Sequence, residues 1–186
     1  RFVVTSNRLE EAQARIEAAD RAVRAFLAGQ GLPADAIVTS RLEVNDLLAQ
    51  AYRSGPVDSR YIVSQTLTVR TTDVARVEAA SQDIGALIAA GVALDSAQGE
   101  TGGGPIYLFT KLNDIKPAMI AEATANARAA AQQFAQDSGS HLAGIRRANQ
   151  GLFQILARDE APGLAEARQM AKIVRVVTTI DYQLAD

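Results

Sequence analysis

Cysteine and tryptophan are absent from these 186 residues, methionine occurs twice and histidine once. Without cysteine there is no disulfide, no thiolate metal site and no cysteine nucleophile, yet the compartment stays open, because many exported bacterial proteins also lack cysteine. A lone imidazole, His141, falls short of the three or four nitrogen and sulfur ligands that zinc takes. Two sulfurs, on Met119 and Met170, are too few for stoichiometric scavenging of oxidants. No apolar run approaches the roughly 20 residues that cross a bilayer. The 19 Lys and Arg balance 21 Asp and Glu to a net charge of -2 without a basic block, so a phosphate backbone finds no footprint and nucleic acid is excluded as a partner. Tyr52, Tyr61, Tyr107 and Tyr182 are scattered with the five phenylalanines, and form no stacking platform for single strands. The chain opens at Arg1 on a strand-like segment rather than a signal peptide, which reads as a trimmed product whose export signal is already gone.

What is present is an ordinary globular composition, 48% apolar and 22% charged. The length suits one domain over 1–186, or two subdomains sharing a core and split by the loop near 97–105. Strand and helix signals alternate in three passages. Phe2 to Ser6 reads as a strand, and Asn7 is expected to cap a helix with the stripe Leu9, Ala12, Ile16, Ala19, Val23, Phe26 and Leu27. Gly29, Gly31 and Pro33 end it, and Ala36 to Val44 alternates as a half-buried strand, with Val38, Leu42 and Val44 on one face. After a loop over about 45–59, rich in Ser54, Gly55, Pro56 and Asp58, a second strand starts at Tyr61. There Tyr61, Val63, Gln65, Leu67 and Val69 share a face, with Ser64, Thr66, Thr68 and Arg70 opposite. Thr72 or Asp73 caps a helix through Val74, Val77, Ala80, Ile84, Leu87 and Ile88 that stops at Gly91, before a short strand near 92–96.

The third passage joins a strand at Ile106–Leu112 to an alanine-rich helix. Asn113 or Asp114 caps it, Pro117 sits in its first turn, and Gly139 stops it. Its stripe is Ile115, Met119, Ala123, Ala127, Ala130 and Phe134, and its many alanines permit close packing against a sheet or helix. A strand from about Ala143 to Leu156, a turn at Arg158–Gly163 and a long closing strand from Ile173 to Leu184 follow. The expected fold is α+β, with repeated strand-helix-strand units and helices packed on largely antiparallel or mixed sheets.

Candidate chemistry is thin. Gly102, Gly103 and Gly104 precede a strand-like segment and lack a following Lys-Ser or Lys-Thr and a helix N-terminus, so they are a loop rather than a phosphate cradle. Ser140 beside His141 has no nucleophile elbow, and adjacent residues seldom orient productively. Glu10, Glu11 and Glu17 fit the first turns of a helix, paired with Arg15 or Arg21. Asp159 and Glu160 lie in a turn without a calcium-loop pattern. Arg146 and Arg147 at the start of a strand point to opposite faces and make no clamp by themselves. No catalytic, cofactor-binding or metal residue emerges.

Several stretches together resemble the SIMPL domain family, a domain of unknown function. They are Tyr61, Ser64, Gln65, Leu67 and Val69; the helix ending Ala89-Ala90-Gly91; the segment with Phe109; Asn126-Ala127-Arg128-Ala129 with Ala131; Gly139, Gly144 and Ile145; and the final strand around 176–184. The likeness covers nearly the whole chain as one SIMPL-like domain. Asn126 departs from it, standing where the family tends to have an acidic residue, and the stretch 98–105 is longer and richer in glycine. The resemblance implies a bacterial exported protein, periplasmic or associated with the cell envelope, with an α+β fold. It also implies members linked to oxidative-stress defence, large homo-oligomers, and an animal relative that associates with a signalling kinase. It carries no catalytic residues. The expectation is therefore a non-enzymatic envelope protein acting by self-assembly or partner binding. The alternatives are a small-ligand binder or an enzyme whose site forms between subunits, and, third, a signalling adaptor.

Overall fold

The computed structural model describes residues 1–49, 58–95 and 104–185. Tyr52, Ser54, Gly55, Pro56, Ser96 and the glycines at 99, 102 and 103 lie outside the described residues. The chain divides into two compact units, Arg1–Pro105 and Ile106–Asp186. Every described ladder is antiparallel, so the fold is α+β with antiparallel sheets.

In the N-terminal unit, β1 (Phe2–Ser6), β2 (Ile37–Asp46) and β3 (Tyr61–Val69) form a sheet in the order β1-β3-β2. One face carries α1 (Leu9–Gly29), and Phe2, Ala12, Ile16, Val23, Val63, Leu87 and Val92 make the core. The alternation expected for β3 holds. Val63 is buried in that core and Gln65 donates to the Asp20 carboxylate on α1 at 2.6 Å, while Ser64 on the other face meets Arg1 at 3.1 Å. In β2 the register shifts between Thr39 and Arg41, so Val38, opposite Thr68, lies on the face away from Leu42, opposite Gln65. The extra residue of the bulge reverses the period of two, so Val38, Leu42 and Val44 do not share one face.

Asn7 does not cap α1. Its side-chain oxygen accepts the Arg60 N–H at 3.0 Å, and Ser6 instead accepts the Arg8 N–H at 3.1 Å and donates to Glu11 at 2.7 Å. The second helix divides into α2 (Val74–Gln82), capped by Asp73 on the Arg76 N–H at 3.1 Å, and α3 (Gly85–Ala89). That break leaves Ile84 and Ile88 exposed while Leu87 is buried. Beyond α3, the Val3 N–H reaches the Ala93 carbonyl at 2.9 Å, so the short strand expected there is a single bridge beside β1, Phe2 opposite Leu94.

In the C-terminal unit, residues 106–110, expected from the sequence as strand, take no strand conformation; Tyr107 donates to the Ala167 carbonyl at 2.8 Å, and no ladder forms there among the described residues. The helix α4 (Leu112–Asp137) begins earlier than expected, with Lys111 at the cap position and no side-chain cap. Asn113 instead accepts from the Lys116 ammonium at 2.9 Å, and Pro117 lies one turn inside the helix. The half-buried stripe runs through Ile115, Met119, Ala123, Ala127 and Ala131 to buried Ala135, whereas Ala130 and Phe134 face outward. A spacing of four drifts about 40° per step on a 3.6-residue helix, so the buried face turns away from Phe134.

After α4 the two expected long strands are each broken. β4 (His141–Gln150) pairs with β7 (Thr178–Ala185), and β5 (Gln154–Ala157) pairs with β6 (Lys172–Arg175). They are two separate two-stranded ladders that follow one another across a bend at residues 151 and 177. At the bend Gly151 donates to the Val177 carbonyl at 2.8 Å, and a Cβ on Gly151 would stand 2.8 Å from that oxygen, so only glycine allows the approach.

Candidate functional site

Among the described residues no group of three acidic, histidine or cysteine side chains could hold a metal ion, and no helix is long and apolar enough to cross a membrane. The sequence candidates are dispersed. His141 opens β4 opposite Ala185, and Ser140 is spent on closing α4, its N–H on the Ala135 carbonyl at 2.9 Å. Glu10 pairs with Arg8 at 3.2 Å, Glu17 accepts from Gln13 at 2.7 Å and Glu11 is held by Arg15. The Ser6 hydroxyl, and then Arg15, hold the Glu11 carboxyl below its ordinary pKa. Asp159 is chelated by Arg158 at 2.6 Å, which lowers its pKa in the same way. Each of these carboxylates is held in a local pair.

The arrangement the topology builds is the β4–β7 ribbon. Arg147 stands opposite Asp181 and Asn149 opposite Thr179, and these four side chains outline a recess of about 230 Å³ on one face. Register shifts on either side of Ile145 place Arg146 in a bulge, so the two arginines lie mid-strand rather than at a strand start. The opposite face carries Leu142, Ile145 and Ala148 of β4 with Ile180, Tyr182 and Leu184 of β7, and α4 packs against both strands. Asp181 and Thr179 were visible in sequence as the polar positions of the closing strand. Their meeting with Arg147 and Asn149, some 30 residues away, depends on a ribbon register that local pattern does not encode.

The ribbon is poorly covered. Of the eleven buried apolar residues, ten lie in the N-terminal unit and only Ala135 in the C-terminal one, among the described residues. Leu152 is 87% exposed, Leu108 77%, Phe134 73% and Ile145 54%. Asn126 and Arg128 both face solvent on α4.

The sequence profile of SIMPL, described as a protein of unknown function (DUF541), matches residues 1–181. The chain belongs to the SIMPL family. A comparison with curated proteins returned no match. SIMPL membership assigns no activity.

Proposed function

We propose that this SIMPL protein is a non-enzymatic protein of the periplasm or cell envelope that works by self-assembly or by binding a partner, with its C-terminal unit as the contact surface. The observation that carries the reading is the imbalance of burial: among the described residues, two two-stranded ladders and one helix hold a single buried apolar side chain while Phe134, Leu108 and Leu152 stand in solvent. Exposed apolar surface on that scale marks an interface. Light scattering at micromolar concentration tests it, with a mass of several chains expected; a strict monomer ends the assembly reading. Phe134→Ser should lower the assembled mass without unfolding the chain, because that side chain contributes almost nothing to the monomer's core.

The compartment follows from what the SIMPL resemblance implies, and fractionation of cells expressing the complete reading frame tests it. A contribution to oxidative-stress defence or envelope integrity would then run through assembly, since Met119 and Met170 give too little sulfur; the test is peroxide and detergent sensitivity of a deletion strain carrying Phe134→Ser. The Arg147–Asp181 recess favours a second reading, a small polar ligand held there or at a site completed by another subunit. Thermal-shift screening across metals, nucleotides, lipids and sugars tests it, and a set without a hit leaves assembly as the sole reading.

A further inference from the structure

We propose that copies of this chain join by sheet extension, the outer edge of β7 in one copy taking the outer edge of β4 from the next. The inference rests on the assembly reading and gives it a geometry. The sheet has two strands, so each has an unladdered edge, and no backbone bond from another described segment reaches either one. A two-stranded ribbon alone is marginal in water, and its N–H and C=O groups template a further strand.

Charge selects among the three ways of joining the edges. Pairing β4 with β4 brings Arg146 and Arg147 of two copies together, and pairing β7 with β7 sets Asp181 near Asp181. Pairing β7 with the next β4 repeats the register already present within the chain, Arg147 opposite Asp181. The outer face then carries a row of alternating charge, Arg147, Asp181, Arg147, Asp181, which favours this joint over the like-charge ones.

Helix spacing agrees. Extension by one ribbon moves the next copy two strands along, about 9.6 Å at the usual strand separation. Packed helices lie about 8–10 Å apart, so one α4 per ribbon fills the layer above the sheet without a gap. The joint uses two different edges and is therefore heterologous. It closes into a ring if the accumulated sheet twist brings the last β7 to the first β4.

The absence of cysteine gives a direct test. Asn149→Cys and Thr179→Cys are each surface changes, and opposed residues of an antiparallel pair lie within disulfide reach. The two variants, co-expressed in one cell, purified together and oxidised, should give disulfide-linked dimers of one chain of each kind, while neither variant expressed alone should. Dimers of Asn149→Cys alone or of Thr179→Cys alone would mean like edges meet, and would overturn the proposal. An assembled mass by light scattering with no crosslink in the mixture would overturn it too and leave the assembly reading standing. A monomeric mass throughout would remove both.

Discussion

At the end of α1 two glycines sit two positions apart in sequence, Gly29 and Gly31, and they do different work. Gly31 has φ +77° and closes the helix, its N–H on the Ala28 carbonyl at 2.9 Å and the Leu32 N–H on Leu27 at 3.0 Å. A Cβ there would also stand 2.8 Å from the Arg76 guanidinium, which bonds the Gly31 carbonyl. Gly29 has ordinary helical geometry with nothing within 4 Å of a Cβ. Gly31→Ala should therefore cost about 1–2 kcal/mol, the penalty of the left-handed conformation, while Gly29→Ala should gain about 0.5–1 kcal/mol from helix propensity. Urea denaturation of the two variants checks both signs. A second residue-scale test concerns Asp46, which accepts from Arg60 at 2.8 Å. That hydrogen bond is the main reason its pKa is lowered. A carboxyl depressed in the folded state stabilises above its unfolded pKa and loses that contribution as pH falls through the carboxylate range. Arg60→Gln should accordingly be less stable than the parent at neutral pH, with the difference shrinking toward acid; a difference independent of pH would show that the pair contributes nothing.

Helix ends were the most legible elements because a chemical signal marks them. Gly31, Gly91 and Gly139 all take positive φ, and each is followed by a residue whose N–H returns to the helix: Leu32 to Leu27, Val92 to Leu87 and Ser140 to Ala135. Helix starts were less legible, since Asn7 and Asn113 have the right chemistry for caps but are claimed by Arg60 and Lys116. Strand breaks were not legible at all. The bend at Gly151 and Val177 is a property of two segments together, and the bulge in β2 leaves the residue types unchanged while reversing which of them face the core. The same limit hid the recess, whose members come from both strands of the ribbon. Past β5 and β6, Gln169 continues the ladder with its side chain, accepting the Asp159 N–H at 2.9 Å and donating to the Asp159 carbonyl at 2.8 Å. Gln169→Ala should speed hydrogen exchange of the Asp159 amide markedly and leave the β3 amides unchanged, because those bonds serve only the turn.

Across the whole molecule the two units differ in what holds them. The N-terminal unit has a three-stranded sheet, a helix on its face and a continuous core from Phe2 to Val92, which suffices for stability in a unit of this size. The C-terminal unit has ribbons of two strands each, with Ala135 as its buried apolar residue among those described. Under the proposed assembly such a unit would gain its missing burial from contact with another chain, and its stability would then follow mass action. Amides that open locally exchange at a rate set by the local opening free energy, and contact with another copy adds to that energy only where the contact lies. Hydrogen exchange measured over a series of dilutions should consequently show protection of β1, β2 and β3 independent of concentration, and protection of β4 and β7 falling as the protein is diluted. Equal protection of both units at every concentration, with a constant mass, would mean that the exposed ribbon is stable as it stands and that its open edges have no occupant.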